Sequence, residues 1–333
     1  MTTIALLGDH FVLPRLLEEA IRAAAPDVPL AFAAHTLEWP LVPFGTVAEV
    51  DEASGDEDET INALAGAEVC VTQMAPITDR VLEASPGLRL VCVTRGGPVN
   101  VNLESAHRRG VTVRSAPGRN ADATAEHTVA LMLAALRRIP ERTAEVLAGD
   151  WRSDLYGYDE TSPELAGAIV GLVGYGAVGS RVARILLGFG AQVRVFDPYA
   201  DLAAAPDGVM QVSSLDEVLE ESTVVTIHAR LTDETRDIVG GAQIAKMPSG
   251  SVLVNAARGG LLDYAALNEG LRSGHLFGAG LDVYPEEPLA ADSALRGAPH
   301  LVMTPHLAGA TKQTAHNAAR IAAAHVAEYL ASR

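Results

Sequence analysis

Short apolar runs alternate with longer helical patterns along almost the whole chain, and this alternation constrains the fold more than any other feature. In the first third, "TIALLG", "AEVCVT", "RLVCVT" and "GVTVRS" read as strands, separated by amphipathic stretches such as "LPRLLEEAIRAAA". A second series follows: "AIVGLVGYG", "AQVRVFD", "STVVTIHA", "GSVLVNAA" and "LFGAGLDV". Strands apolar on both faces and joined by helices belong in parallel sheets covered on both sides. Between the two series, residues 120–149 predict a long helical stretch that Pro140 breaks in two. A polar, aromatic connector spans 150–167, and "AGATKQTAHNAARIAAAHVAEYL" predicts a terminal helix. No repeat of fixed period is present. With 333 residues there is material for two cores.

"GLVGYGAVGS" places Gly174, Gly176 and Gly179 in G-x-G-x-x-G spacing, after an apolar strand and at the start of a helix. The first glycine permits a tight turn, the second lets a pyrophosphate approach the backbone, and the third allows close helix–strand packing. The motif alone is weak evidence. Here the next strand ends in Asp197, at the distance expected of a ribose-diol ligand. A carboxylate there repels a 2′-phosphate, and no arginine follows it in "DPYAD", so NAD is favoured over NADP. The fold class expected is α/β: two doubly wound (Rossmann-like or flavodoxin-like) parallel-sheet domains with an interdomain active-site cleft. Residues 117–303 would form the NAD-binding domain, and residues 1–116 with 304–333 the substrate domain.

"SVLVNAARGG" carries a permanent cation, Arg258, to the end of an apolar strand. A guanidinium is costly to desolvate unless it meets an anion. By position it is either a surface arginine starting the next helix or a carboxylate-binding arginine at the sheet's carboxyl end. Further on, "GLDVYPEEPL" supplies Asp282 and Glu287, and "VMTPHLAG" supplies His306. A cation, a carboxylate and an imidazole are what 2-keto acid chemistry needs: one group for the carboxylate and carbonyl, one proton donor, and one partner to hold that donor.

Composition narrows the partners. The net charge of −17 speaks against nucleic acid and against an anionic membrane surface. The two cysteines, Cys70 and Cys92, lie in apolar runs and fit a reducing cytoplasm better than a disulfide framework. The N-terminus lacks the features of a signal peptide, and no stretch approaches a membrane span. The acidic run "DEASGDEDET" (51–60) reads as a solvated surface loop. No His, Cys or carboxylate cluster has metal spacing, so no metal is expected.

Together these motifs resemble the D-isomer-specific 2-hydroxyacid dehydrogenase family, which includes phosphoglycerate dehydrogenases, glyoxylate reductases and D-lactate dehydrogenases. The resemblance covers roughly residues 65–330. It rests on "VGYGAVG" with "FDPY", then "NAARGGLLD", "LDVYPEEPL" and "TPHLAGAT", in the family's order; "PGRNADATAEHT" resembles the segment entering the cofactor domain. It implies an NAD-dependent enzyme in which Arg258 binds the substrate carboxylate and carbonyl, His306 is the acid/base and Glu287 orients and charges it. It implies cofactor contacts from Gly174, Tyr175, Gly176, Ala177, Val178, Gly179, Asp197, His228, Ala229, Ala257, Arg258, Asp282 and His306. In "VTRGGPVNVN" it implies that Arg95, Gly96 and Gly97 hold substrate; successive N–H groups of a glycine turn also make an anion nest on physical grounds. Arg95 either reads a second anionic group or pairs with a surface carboxylate. His228 is read equally as a packed strand-end histidine, and His127 as a core residue. The partner implied is a small 2-keto or 2-hydroxy acid, with a homodimer formed through the cofactor domain, where Trp151, Tyr156 and Tyr158 lie.

The chain departs from the family at several points. Arg230 stands where a proline is common, and Ala256 where a threonine precedes Ala-Arg. Thr72 replaces an arginine that serine-pathway phosphoglycerate dehydrogenases often carry, and a chain ending at Arg333 leaves no room for their regulatory domain. Other readings on the same scaffold are a phosphite-type dehydrogenase and a nucleotide-sensing corepressor. Glu287 speaks against formate oxidation, where related enzymes use glutamine.

Overall fold

In the computed structural model, residues 1–39, 45–203 and 205–333 are described. The chain forms two units: Met1–Asn120 with Ala310–Arg333, and Ala121–Gly309. The divisions fall a few residues after those expected from the sequence, so that His306 belongs to the second unit.

The first unit is built on a parallel sheet. β1 (Thr2–Gly8), β2 (Leu30–Thr36), a small antiparallel pair of β3 (Gly45–Val47) and β4 (Val50–Ala53), β5 (Val69–Thr72), β6 (Leu90–Val93) and β7 (Thr112–Ser115) alternate with α1 (Pro14–Ala24), α2 (Glu57–Ala63), α3 (Asp79–Ala84) and α4 (Leu103–Arg108). The sheet order is β2-β1-β5-β6-β7, which is flavodoxin-like once the β3–β4 pair is set aside. Alternation fixes the two faces. Ile4, Leu6, Val69, Val71 and Cys92 pack with α1 and with alanines of the terminal helix Lys312–Ala331. Ala5, Leu7, Cys70 and Val91 pack on the other side with Leu64 and Leu82. The two thiols therefore sit in separate cores, both free, and burial pushes each upward, Cys92 to about 12.

Two expectations change here. The run 51–60 is not a loop: β4 occupies its start, and Asp56 caps α2, whose first turn holds Glu57, Asp58 and Glu59. Carboxylates at a helix N-terminus meet unpaired N–H groups and the positive end of the dipole. Strand β2, "LAFAAHT", escapes sequence reading because it is alanine-rich and lies at the sheet edge, where burial does not impose a β pattern.

The second unit contains α5 (Ala121–Leu136), α6 (Ile139–Ala148), β8 (Ile169–Val173), α7 (Gly179–Gly188), β9 (Gln192–Phe196), β10 (Val209–Gln211), α8 (Leu215–Glu221), β11 (Val224–Ile227), α9 (Gly241–Ile244), β12 (Ser251–Asn255), α10 (Tyr264–Arg272), β13 (Leu276–Leu281) and β14 (Leu301–Met303). Its seven parallel strands run β10-β9-β8-β11-β12-β13-β14. Order reverses at β8, so the turns after β8 and β11 flank the switch point where α/β folds bind ligands. Pro140 stands in the first turn of α6, and Arg138 just before it takes φ +49°, which separates α5 from α6. Val170, Leu172, Val193 and Val254 pack against α5 and α7. Val225, Ile227, Leu253 and Leu281 pack against α8, α9 and α10 on the other face. Among the described residues, no helix is long and apolar enough to cross a membrane.

Candidate active site

The glycine turn after β8 is shaped by contact. Gly174 has φ +105°, and a Cβ there would lie 2.7 Å from the Ala229 nitrogen and from the His228 carbonyl carbon. A Cβ on Gly179 would collide with the Gly174 carbonyl. Gly176 differs: a Cβ would meet nothing within 4 Å among the described residues, and Gly176 and Ala177 are exposed. Two glycines are thus required by packing and one leaves an open approach, the pattern of a pyrophosphate cradle ahead of a helix N-terminus. Val178 lies just before α7. Asp197, after β9, accepts from the Tyr175 N–H at 2.8 Å and from the Tyr199 N–H at 2.9 Å, which fixes its carboxylate beside the turn. These residues fit the adenosine side of a dinucleotide.

His228 follows β11. Its Nε2 lies 3.1 Å from Thr226 Oγ1, and burial pushes its imidazole down to about 4. The ring is neutral at neutral pH, and the His228 backbone lies against the glycine turn. Arg230 accepts a hydrogen bond from Thr235 Oγ1 on its carbonyl.

The loop after β12 is tied down by Asn255, which is fully buried. Its amide donates to the Arg258 carbonyl at 3.0 Å and its Oδ1 accepts from the Ala257 N–H at 3.0 Å. Arg258 is exposed, with Nη1 donating to the Ala257 carbonyl at 2.7 Å. Any side chain on Gly259 would run into the Tyr284 carbonyl. The arginine loop and the segment leading to Glu287 are therefore in direct backbone contact.

Asp282, at the end of β13, is fully buried and uses both oxygens within the protein. Oδ1 accepts from Thr304 Oγ1 at 2.6 Å and from the Leu307 N–H at 2.8 Å; Oδ2 accepts from the Ala308 N–H at 2.7 Å. His127 Nε2 lies 2.9 Å from Thr304 Oγ1 and 3.6 Å from Asp282 Oδ1. The Tyr284 hydroxyl donates to the Thr304 carbonyl at 2.9 Å, and burial with Asp282 and Glu287 nearby pushes that phenol up to about 12, so it stays a donor. These bonds clamp residues 304–308. Within the clamp His306 takes φ +54° and its Nδ1 meets Glu287 Oε2 at 2.6 Å, while Glu287 Oε1 accepts from the Tyr284 N–H at 3.0 Å. Asn255, Tyr284 and Thr304 were not singled out from the sequence. Tyr284 and Thr304 are ordinary polar residues whose importance comes from bonds made across the fold, and Asn255 is one whose importance comes from the turn it closes.

Arg95, Gly96 and Gly97 lie in the first unit, after β6. Arg95 bonds to Glu52 twice, through the Glu52 carbonyl at 3.1 Å and its side-chain carboxylate. Added side chains on Gly96 and Gly97 would meet nothing within 4 Å among the described residues.

A doubly wound unit with a glycine cradle, a diol-side aspartate and a carboxylate–imidazole pair defines a nicotinamide-dinucleotide-binding protein with acid/base capacity. Residues 129–308 match the family described as D-isomer specific 2-hydroxyacid dehydrogenase, NAD binding domain. The chain is 37% identical over 271 residues to a D-3-phosphoglycerate dehydrogenase of Mycobacterium tuberculosis, covering 81% of this chain and 50% of the relative. It is 34% identical over 266 residues to a glycerate dehydrogenase of Methylorubrum extorquens, covering 79% and 82%. The crystal structure of TT0316 protein from Thermus thermophilus superposes with a TM-score of 0.79 at 30% identity, covering 100% of this chain and 98% of the other. The chain belongs to the D-isomer-specific 2-hydroxyacid dehydrogenase family, and NAD is its cofactor. It spans about half the length of the curated phosphoglycerate dehydrogenases it matches.

Proposed function

We propose that the protein interconverts a 2-keto acid and a D-2-hydroxy acid with NAD. The observation that carries this reading is the Glu287–His306 pair at 2.6 Å, clamped in the unit that holds the glycine cradle. NAD, when bound, supplies or accepts the hydride at the substrate's C2. With Nδ1 engaged by Glu287, proton exchange with the C2 oxygen falls to Nε2 of His306. Glu287 fixes the ring's orientation. Arg258 offers a planar fork to the substrate carboxylate and polarises the carbonyl. In the first unit, the successive N–H groups of Gly96 and Gly97 suit a carboxylate. Asp282 acts on His306 from behind, by holding the Leu307 and Ala308 N–H groups.

The partner reading is a homodimer through the second unit. None of the described residues of α6 is buried, and Leu147, Trp151, Tyr156 and Tyr158 are 83–93% exposed. So large an apolar surface is unusual for a monomer. The buried thiols fit a reducing, cytoplasmic setting.

The test is NADH oxidation with glyoxylate, hydroxypyruvate, pyruvate and phenylpyruvate, with chiral analysis of the product. Turnover to a D-2-hydroxy acid supports the reading. Tight NADH binding without turnover on any keto acid would move the protein to the corepressor-like class. Phosphite oxidation without keto-acid turnover would move it to the phosphite-type class.

A further inference from the structure

The carboxyl edge of the first unit's sheet holds a row of buried polar groups that the chemistry above does not use. Asp9 follows β1. Its Oδ1 accepts from the N–H groups of Phe11 and Val12 at 2.8 and 2.7 Å, which fixes the side chain, while its buried Oδ2 has no hydrogen-bond partner among the described residues. Gln73 follows β5, Thr94 follows β6, and Arg119 lies beyond β7. Gln73 Oε1, Thr94 Oγ1 and Arg119 Nη1 are likewise buried without a partner among the described residues. Asp9, Gln73 and Thr94 are 1%, 4% and 0% exposed.

Register brings the ends of these strands together. Leu7 pairs with Thr72, Thr72 with Val93, and Val93 with Ser115, so Gln73 and Thr94 follow side by side, while Asp9 comes two residues after Leu7 and Arg119 four after Ser115. Asp9 and Arg119 sense each other's charge but form no ion pair. Each orphaned polar atom costs about 1–3 kcal/mol if left unmatched. Four on one sheet edge, at the end where α/β sheets take ligands, mark a binding surface.

The groups also say what would bind. Asp9 Oδ2 and Gln73 Oε1 are acceptors, Thr94 can donate or accept, and Arg119 Nη1 donates. A phosphate or second carboxylate offers acceptors and would face the Asp9 carboxylate. The charges at this edge also balance, since Arg95 is taken by Glu52 and Arg119 faces Asp9. A hydroxyl-bearing carbon chain both donates and accepts and carries no charge. We infer that Asp9, Gln73, Thr94 and Arg119 form a specificity subsite for the uncharged, polyhydroxylated part of the substrate, so that the preferred substrates are aldonic-type acids rather than phosphorylated ones. This rests on the dehydrogenase reading, whose carboxylate-holding loop begins directly after Thr94.

The experiment measures kcat/KM with NAD for D-2-hydroxybutanoate, a D-2,3,4-trihydroxybutanoate and D-3-phosphoglycerate, using wild type, Asp9→Asn and Thr94→Val. Asparagine keeps an acceptor for the Phe11 and Val12 N–H groups and valine keeps the shape of threonine, so at least one variant should fold. In wild type the trihydroxy acid should exceed 2-hydroxybutanoate by about 10- to 100-fold, the worth of one or two buried charged hydrogen bonds. Asp9→Asn should lower that ratio about tenfold and raise the ratio of 3-phosphoglycerate to 2-hydroxybutanoate; Thr94→Val should lower the first ratio as well. A wild-type ratio near one, a preference for 3-phosphoglycerate, or a ratio unmoved by the variants that fold overturns the subsite while leaving the dehydrogenase reading intact. If no 2-hydroxy acid is oxidised, the dehydrogenase reading fails instead. Calorimetry then decides the subsite: trihydroxybutanoate binding that weakens about tenfold in Asp9→Asn supports it, and no binding or equal binding overturns it.

Discussion

Asp282 and His306 are linked without touching: the buried carboxylate of Asp282 accepts the N–H groups of Leu307 and Ala308, and the backbone it holds presents His306 to Glu287. A residue at the end of β13 thereby sets the position of an imidazole in the loop after β14.

Replacing Asp282 with alanine removes three hydrogen bonds and leaves the buried Ala308 N–H and the half-buried Leu307 N–H without their acceptor. The expected loss is about 2–4 kcal/mol of stability, with a fall in kcat because the His306 loop is released. Urea denaturation and steady-state kinetics on the same preparation check both. A variant with wild-type stability and rate would remove Asp282 from the clamp.

Asp197→Ser removes the acceptor placed beside the glycine turn and its repulsion of a 2′-phosphate. The NADH-to-NADPH ratio of kcat/KM should shift toward NADPH by about 1–3 kcal/mol. An unchanged ratio would mean that Asp197 does not meet the ribose.

Gly174→Ala places a Cβ against the Ala229 nitrogen at a φ that disfavours side chains. NADH affinity should fall at least about tenfold, read by fluorescence titration, with a loss of stability of about 1–3 kcal/mol. The Cβ of Gly176→Ala meets nothing within 4 Å among the described residues, so it should weaken NADH binding while leaving the unfolding midpoint nearly unchanged. Equal destabilisation by both would contradict the division of roles between the two glycines.

His228 gives a pH signature. Its folded-state value is lowered to about 4 from an ordinary 6.5, so the unfolded chain binds the proton more readily between those values. The stabilisation is present above pH 6.5 and is lost as pH falls toward 4. From pH 7 to 4.5 the wild type should lose about 2 kcal/mol more than His228→Gln. Parallel denaturation curves for the two proteins across that window would show that the ring is not held neutral.

The alternation of strands and the glycine turn were readable because each sits in a local pattern, and the family resemblance paired Glu287 with His306, which are in contact. Edge elements were less legible. β2 has three alanines and its one β-branched residue, Thr36, at the end, β10 and β14 span three residues each, and β4 lies at the start of an acidic run that mimics a loop. At the site, Tyr284 and Thr304 act through partners distant in sequence, which spacing does not reveal. Arg95 illustrates the limit: its carboxylate partner, Glu52, lies 43 positions away.

The central claim is that His306, held by Glu287, moves the proton while the glycine cradle holds NAD. The most direct measurement compares wild type, His306→Gln and Glu287→Gln in NADH-dependent keto-acid reduction, with NADH affinity determined separately by titration. Removing a positioned general acid should lower kcat by about 10²–10⁴-fold in His306→Gln, and Glu287→Gln should lower it substantially, with NADH affinity in both variants within about twofold of wild type. A His306→Gln enzyme that keeps the wild-type rate, or one whose lost rate is matched by lost NADH binding, would contradict the account.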